Sequence, residues 1–208
     1  MWLVQYFSSR SKNPHVGIRN FGEIVKGRIY RGADCGTVEY LKLKKLYAVE
    51  LRVCLFDDVE KLHQDRYEAE RAGLEWEAVP MSDRKKPTAE QVMRALALLR
   101  SGKRIFLGCR GARHRASLIA AVFAVCDLGW TKEEAWRGHA EAFGYYSALG
   151  HGALKIWFFR ISILMTLQNS GLKIKYRYAD SRGFIRRRRR FQSWRNRRRN
   201  ATDMERRE

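Results

Sequence analysis

Cys109 and Arg115 are the residues whose types and spacing are best suited to chemistry on a phosphate group. They stand six positions apart, and the residues between them are Arg110, Gly111, Ala112, Arg113 and His114. A loop of this length can curl until the thiol and the guanidinium face one point. A thiolate is a strong nucleophile, and a guanidinium can hold two phosphate oxygens at once. The spacing therefore predicts a phosphate-binding loop with Cys109 as nucleophile and Arg115 as phosphate ligand.

The segments on either side of this loop support that prediction. A short apolar strand is expected over residues 104–108, and an apolar helix over 117–128. A loop between a strand and a helix can line an anion site with backbone N–H groups, to which the helix adds its positive end. The other cysteines, Cys35, Cys54 and Cys126, have no arginine six positions later. The alternative is that Cys109 is a buried core cysteine beside a basic surface turn.

The loop itself is rich in cationic side chains. Arg110, Arg113 and His114 lie beside Arg115, and we predict that residues 110–114 bind the substrate. The three side chains either point into solvent or favour substrates with several phosphates, such as inositol phosphates, phosphoinositides or an RNA 5′-triphosphate. No metal ligand and no cofactor is expected at this site.

Length and composition place few other limits on the chain. Its 208 residues, of which 45% are hydrophobic, are enough for one domain with an appendage. The four cysteines form no C-x-x-C pair, which argues against a cysteine zinc site, and a disulfide framework is not expected in a chain of this length. The short apolar start, Met1 to Phe7, lacks a basic region before it and is not typical of a secretory signal. We therefore expect a reduced, cytoplasmic setting and a monomer.

Strand and helix patterns alternate along the chain. Lys26 and Gly27 form a turn between two short strands, and Thr37 is expected to cap a helix with an apolar stripe of Val38, Leu41, Leu46 and Tyr47. The elements predicted next are strand 48–55, helix 59–72, strand 74–80, a helix that starts after Thr88, strand 104–108, helix 117–128 and a helix that starts after Thr131. Gly73 ends the helix over 59–72. Thr88 and Gln91 form a capping box, and the helix after them has Val92, Leu96 and Leu99 on its apolar face. This order predicts an α/β fold of three layers, with a mostly parallel central sheet flanked by helices.

Charge divides the chain into three parts. We predict an N-terminal extension over residues 1–20, a central domain over 21–168 and an Arg-rich tail over 169–208 that is disordered or partly helical. Residues 171–208 hold 15 Lys and Arg against 4 Asp and Glu, and so contribute +11 of the net charge of +20. Within the tail, residues 173–199 interleave arginines with aromatic residues. This pattern suits a nucleic acid or an anionic membrane, or it is a solvated extension without a partner.

Residues 148–167 form the most apolar stretch of the chain. Lys155 and Arg160 interrupt it, so it falls short of an uninterrupted membrane span. The pattern favours a terminal core helix over an interfacial membrane helix.

Three segments together resemble the cysteine-dependent protein tyrosine phosphatases, in particular their compact dual-specificity-like group with bacterial members. Residues 27–33, Gly-Arg-Ile-Tyr-Arg-Gly-Ala, are similar to the family's N-terminal strand and turn. Residues 79–87, which contain Asp83, are similar to its general-acid loop, and Cys109 to Arg115 match its signature. The resemblance spans about residues 20–165.

The resemblance implies a two-step hydrolysis of a phosphomonoester, with phosphorylated proteins as the first substrates to consider. Cys109 attacks phosphorus and forms a cysteinyl-phosphate, while Arg115 and the loop N–H groups hold the phosphate oxygens. Asp83 protonates the leaving oxygen and then helps to activate water. Asp57 and Asp58, which also follow a predicted strand, are rival candidates for the acid.

The signature loop departs from the family pattern at three places. Gly108 stands where the family has histidine, Ala112 stands where it has the glycine three residues after the cysteine, and Ala116 stands where it has a hydroxyl residue. Gly111 and Ser117 lie one position away from the expected glycine and hydroxyl. The alternative is therefore a weak or inactive pseudophosphatase that binds phosphate or RNA.

Overall fold

In the computed structural model of the chain, residues 16–147, 151–166 and 173–178 are described. The strands are β1 (Gly22–Val25), β2 (Ile29–Gly32), β3 (Leu51–Cys54), β4 (Glu75–Ala78), β5 (Ile105–Gly108), β6 (Ile161–Thr166) and β7 (Lys173–Tyr178). The first five form one sheet in the order β1-β2-β5-β3-β4, and β6 pairs with β7 in a separate two-stranded sheet.

The five-stranded sheet is parallel except at its β1 edge. β1 and β2 are antiparallel and joined by the turn at Gly27, whose φ of 68° is left-handed. β5 lies in the middle of the sheet, parallel to β2 and to β3. Gly108, the last residue of β5, is level with the last residues of both neighbours, Gly32 and Cys54. The loops that follow these strands therefore leave the sheet at one edge, where ligands bind in open α/β sheets.

Helices cover both faces of this sheet. They are α1 (Thr37–Tyr47), α2 (Val59–Arg71), α3 (Ala89–Leu99), α4 (Arg115–Asp127), α5 (Lys132–His139) and α6 (Gly152–Arg160), with a 3-10 turn at Glu141–Phe143. Ile105 and Leu107 face a core built with α3 to α6, whereas Phe106 faces a second core built with α1 and α2. Val16 and Ile18, from the segment before β1, are buried in the second core. The predicted fold, three layers around a mostly parallel sheet, is confirmed.

Several helix boundaries follow the sequence signals. Thr88 and Gln91 form a reciprocal capping box at α3, and Thr131 and Glu134 form another at α5. Gly73, with a φ of 71°, follows α2. The buried face of α3 contains Val92, Leu96 and Leu99, as its periodicity predicts.

The predicted core face of α1 is wrong. Val38, Leu41 and Leu46 are exposed, whereas the buried residues of this helix are Tyr40 and Leu43. The N-cap is Gly36 instead of Thr37, and its N–H donates to the carboxylate of Glu39 at 3.0 Å. The reason is tertiary: Tyr40 donates a hydrogen bond to the buried carboxylate of Asp65, so the helix turns its Tyr40 face inward.

The prediction of a terminal core helix over 148–167 is correct for α6, whose Leu154, Trp157 and Phe158 are buried in the core, and wrong for the described residues from Ile161 onward. Helix α6 covers only Gly152–Arg160, and the chain becomes extended at Ile161 and continues as β6. The segment Ile161–Thr166 contains β-branched Ile161, Ile163 and Thr166, which favour a strand. Within the part of the chain that the structure describes, no helix combines the length and the apolarity that a membrane crossing requires.

Of the predicted tail, residues 169–208, the structure describes only the strand β7. β7 occupies Lys173–Tyr178, where charged residues alternate with apolar and aromatic ones at the period of two that a strand requires. The remainder of the tail, residues 179–208, lies outside the described residues, as do residues 1–15.

Candidate active site

The predicted phosphate loop lies at the carboxyl end of the central strand. β5 ends at Gly108, Cys109 follows it, and α4 begins at Arg115. Only 3% of Cys109 and 5% of Arg115 is exposed, so both side chains lie at the base of the loop. The following helix directs its N-terminus at the loop, which places a partial positive charge beside the thiol.

Three consecutive carbonyl groups of the loop are held from outside. The carbonyl of Arg110 accepts the N–H of Asp34 at 3.3 Å, and that of Gly111 accepts from the Asn20 amide at 2.6 Å. The carbonyl of Ala112 accepts from Arg31 and from the Ser117 hydroxyl. In a trans peptide the N–H points opposite to the C=O. The N–H groups of Gly111 and Arg113 therefore point to the inner side of the loop, as an anion site requires.

Ala112 adopts the left-handed conformation that the family glycine would supply. Its φ is 49°, and the residue is fully buried. A non-glycine residue in this region costs roughly 1–2 kcal/mol. The hydrogen bonds to its carbonyl from Arg31 and Ser117 hold the residue there. Ser117, one position later than the family hydroxyl, thus serves to brace the loop.

Arg31 is a buried cation beneath the loop, to which the sequence analysis assigned no role. It donates to the carbonyls of Ala112 and His139 and to the Ser117 hydroxyl, and it lies 3.9 Å from the ring centre of Phe143. Burial lowers the pKa of Arg31 to about 9, and the charge of a Cys109 thiolate opposes this shift. Arg31 therefore stays charged at neutral pH. The one feature of the sequence that indicates a role for Arg31 is the presence of a charged residue among the buried residues of strand β2.

A second buried arginine explains why glycine precedes Cys109. A Cβ at Gly108 would overlap the guanidinium of Arg52 and lie 2.8 Å from the carbonyl oxygen of Gly32. Arg52 forms a buried ion pair with Asp65 at 2.9 Å. Arg52, on β3, thus occupies the space that a side chain at position 108 would need.

Arg115 is held by a carboxylate that the sequence offered as a rival acid. Its Nη1 lies 2.6 Å from Oδ1 of Asp57 and donates to the carbonyl of Met81 at 3.2 Å. Asp57 follows β3, and Asp83 follows β4, so both carboxylates lie at the same edge of the sheet as Cys109. Asp58 instead accepts the N–H of Lys61 and caps α2.

Asp83 lies beside the loop with two histidines. One ligand atom from each of Asp83, His114 and His151 lies within 4.8 Å of the others. Nδ1 of His151 is 3.0 Å from the backbone carbonyl of Asp83, which anchors the Asp83 loop to the start of α6. The His114 and His151 rings stack at 3.7 Å between centres. His114 is therefore buried, whereas Arg110 is exposed and Gly111 and Arg113 are half-buried.

The structure thus places Cys109, Arg115 and Asp83 at the same edge of the sheet. It adds Arg31 and His151, to which the sequence assigned no role, and it pairs Asp57, the rival acid, with Arg115. His151 carried no local signal, because it lies in a segment predicted only as a core helix.

Similarity to known proteins is detected through structure. No protein-family model matches the chain, and no curated protein is significantly similar in sequence. The crystal structure of P. aeruginosa TpbA superposes with a TM-score of 0.58 at 19% identity, and covers 72% of this chain and 88% of that one. The core catalytic domain of the PP-IP phosphatase SIW14 from S. cerevisiae gives a TM-score of 0.53 at 17% identity, covering 67% and 86%.

A third similar structure is PTPMT1 in complex with PI(5)P, with a TM-score of 0.52 at 16% identity, covering 67% of this chain and 94% of that one. Each of the three superposes over about two thirds or more of this chain and over most of its own length. The chain therefore has the fold of the cysteine-dependent protein tyrosine phosphatase superfamily.

Proposed function

We propose that this protein hydrolyses phosphomonoesters through a cysteinyl-phosphate on Cys109. The observation that carries the proposal is the position of Cys109 at the carboxyl end of the central strand, facing the first turn of α4 with Arg115. Loop carbonyls held from outside leave the N–H groups of Gly111 and Arg113 for the phosphate oxygens. Nucleophile, cation and oriented N–H groups are what transfer of a phosphoryl group to sulfur requires.

The proposed reaction proceeds in two steps. The Cys109 sulfur attacks phosphorus, an S–P bond forms, and the P–O bond to the leaving group breaks as Asp83 donates a proton to that oxygen. Water then attacks the cysteinyl-phosphate, Asp83 accepts a proton from it, and the S–P bond breaks to release inorganic phosphate. Arg115 and the loop N–H groups hold the equatorial oxygens in both transition states.

Asp57 has a different role in this scheme. Its Oδ1 lies 2.6 Å from Nη1 of Arg115, so a phosphate that binds the Arg115 guanidinium must share it with Asp57 or displace Asp57. Asp57 then acts as a competitor for the guanidinium, whereas Asp83 acts on the leaving group. The two carboxylates therefore predict different kinetic effects: substitution of Asp57 changes KM, and substitution of Asp83 changes kcat.

The proposed substrate class is our inference from the cationic loop and from the names and ligands of the similar structures. TpbA has been crystallised with pTyr, SIW14 is named a PP-IP phosphatase and PTPMT1 was crystallised with PI(5)P. We propose phosphotyrosine-type protein substrates first. The second candidate is a polyphosphorylated substrate, which the exposed Arg110 and the half-buried Arg113 at the loop favour.

A third candidate is a pseudophosphatase that binds phosphate or RNA through the loop and the tail. The departures at Gly108, Ala112 and Ala116 motivated it. Arg52, Arg31 and Ser117 occupy or brace the corresponding places, which favours an enzyme with a differently supported loop.

The test is hydrolysis of an aryl phosphate in the presence of EDTA. Wild-type protein is compared with Cys109→Ser, Asp83→Asn and Asp57→Asn, the last being the matched carboxylate control. We expect no turnover by Cys109→Ser, a kcat lower by about 10²–10⁴-fold for Asp83→Asn, and a changed KM with largely retained kcat for Asp57→Asn. Wild-type activity equal to that of Cys109→Ser would leave the pseudophosphatase as the better candidate.

The substrate class is tested with the same protein. Phosphotyrosine peptides and inositol polyphosphates are compared for wild type and Arg110→Ala. If the second candidate is correct, Arg110→Ala lowers kcat/KM for the inositol polyphosphate by about tenfold and leaves the peptide nearly unchanged. An equal effect on both substrates removes that candidate.

A further inference from the structure

Asp83, His114 and His151 form a compact set of potential metal ligands beside the loop. One ligand atom from each lies within 4.8 Å of the other two. The two histidines are buried, with 8% and 4% of their surface exposed, and Asp83 is half-buried. The three residues come from the loop after β4, from the phosphate loop and from the start of α6. Their approach is therefore a product of the fold.

The ligand chemistry suits a borderline-soft divalent ion. Two imidazole nitrogens and one carboxylate oxygen are the donor set of many three-ligand zinc sites, in which a fourth position stays open.

An independent observation points to a ligand at this place. Nε2 of His114 is buried and has no hydrogen-bond partner among the residues that the structure describes. A buried polar atom without a partner costs roughly 1–3 kcal/mol. The stacked His151 ring, at 3.7 Å and 8° to the His114 plane, offers its face and supplies no acceptor to this atom.

We propose that Asp83, His114 and His151 bind a Zn²⁺ ion reversibly, and that the bound ion inhibits the enzyme. The ligand atoms of one tetrahedral ion lie about 3.3 Å apart, so binding requires the three side chains to rotate toward one another. Asp83 then coordinates the metal and is unable to deliver a proton. The ion is an inhibitor and takes no part in the reaction; its inhibitory effect, though not its binding, rests on the proposed function.

Binding is measured directly, without reference to turnover. Zn²⁺ is titrated by calorimetry into the full chain carrying Cys109→Ser, which removes the thiol as a competing ligand. The same titration is made after adding His151→Ala, Asp83→Asn or, as matched control, the exposed histidine change His63→Ala. Far-ultraviolet circular dichroism confirms that each variant is folded.

We expect one Zn²⁺ per chain, an affinity lowered at least about tenfold by His151→Ala and by Asp83→Asn, and no change with His63→Ala. The tenfold limit is conservative, because loss of an outer-shell partner alone costs 10–100-fold. Asp83→Asn keeps the proposal testable if His151→Ala does not fold. Absence of binding, or equal binding by all folded variants, would overturn the proposal.

A second arm measures inhibition of the Cys109 form. Micromolar Zn²⁺ should inhibit aryl phosphate hydrolysis, and EDTA should restore it. The ratio of inhibited to uninhibited rates should move toward one in His151→Ala, whatever its own rate. Equal sensitivity in His151→Ala would show that Zn²⁺ acts on the thiolate and would contradict the proposal. If the chain has no activity at all, the proposed function fails, while the calorimetric result still decides the metal site.

Discussion

Arg31 holds the Cys109 loop through a carbonyl and a hydroxyl group that belong to the loop and the helix after it. Its guanidinium bonds to the carbonyls of Ala112 and His139 and to the Ser117 hydroxyl. A planar fork with several donors can hold these acceptors together, whereas the ammonium of lysine is a compact point charge on a flexible stem. Arg31 is therefore a positioning residue for the loop and supplies a positive charge beneath the thiol.

Arg31→Lys should lower kcat/KM for an aryl phosphate by about 10–100-fold, because small displacements of catalytic groups have effects of this size. Lysine retains the positive charge, so the decrease in kcat/KM would result from the lost hydrogen-bond geometry of the guanidinium. Arg104→Lys, an exposed change just before β5, is the control and should leave the rate unchanged. The measurement is steady-state kinetics beside a thermal unfolding curve. Wild-type kinetics for Arg31→Lys would show that the brace is dispensable.

Ala112 carries the conformational cost of a left-handed residue at a buried position. Ala112→Gly removes the strain but also removes a buried methyl group and increases the freedom of the unfolded chain. These terms nearly cancel, so the free energy of unfolding should change by less than about 1 kcal/mol, with activity retained. Ala112→Val should destabilise by more than about 2 kcal/mol, since a β-branched residue at positive φ is strongly disfavoured.

Urea unfolding of both Ala112 variants makes this measurement. Ala121→Val, a change of the same size in the buried part of α4, reports overpacking without backbone strain. A similar loss in Ala112→Val and Ala121→Val would mean that the left-handed conformation contributes little.

At the scale of the elements, one buried ion pair ties β3 to α2. Asp65 accepts hydrogen bonds from Arg52 on β3, from the Tyr40 hydroxyl on α1 and from the Trp76 indole on β4. Burial alone would raise the pKa of Asp65, but Arg52 and the hydrogen bonds outweigh it and hold the pKa below its usual value. Arg52 in turn fills the space beside Gly108. The second core and the base of the phosphate loop are therefore coupled.

Asp65→Asn should lower the free energy of unfolding by about 3–5 kcal/mol, because it leaves the buried Arg52 without a counter-charge. Glu70→Gln, which breaks the exposed pair between Arg66 and Glu70 on the same helix, should change it by less than about 1 kcal/mol. Denaturant titration at pH 7 measures both. Equal decreases in the free energy of unfolding for the two variants would indicate that the buried Arg52–Asp65 pair contributes no more to stability than the exposed pair.

At the scale of the whole molecule, buried neutral histidines make the fold sensitive to acid. Burial and then the charge of Arg31 lower the pKa of His139 to about 3. Burial and then the neighbouring His151 lower the pKa of His114 to about 4. The unfolded chain binds protons at both residues near pH 6.5, before the folded chain does. The two neutral histidines therefore make their full contribution to the free energy of unfolding above about pH 6.5, and this contribution is lost as the pH falls toward their pKa values in the folded protein.

The free energy of unfolding should therefore fall by at least about 2 kcal/mol between pH 7 and pH 5, and further below pH 4 as Asp65 is protonated. His139→Gln should reduce the slope between pH 7 and pH 5. Urea titrations at several pH values make the comparison. A stability that does not change over this range would show that His139 and His114 titrate normally in the folded protein.

The sequence by itself determined what depends on neighbouring residues. The strand before Cys109 and the helix after it, the capping boxes of Thr88 and Thr131 and the apolar face of α3 follow from local periods and end signals. These features need only a few consecutive residues to be specified. The mostly parallel sheet followed from the alternation of strands and helices, because parallel strands require such crossovers.

Only the tertiary structure decided which distant residues meet at the loop. Arg31 lies 81 positions from Ala112, Asp57 58 positions from Arg115, and His151 68 positions from Asp83. The buried face of α1 was decided in the same way, by the contact of Tyr40 with Asp65. Such contacts depend on the strand order β1-β2-β5-β3-β4 and its register, and no local period encodes either. The loop could therefore be predicted from the sequence, whereas the distant residues that hold it in place could be identified only from the tertiary structure.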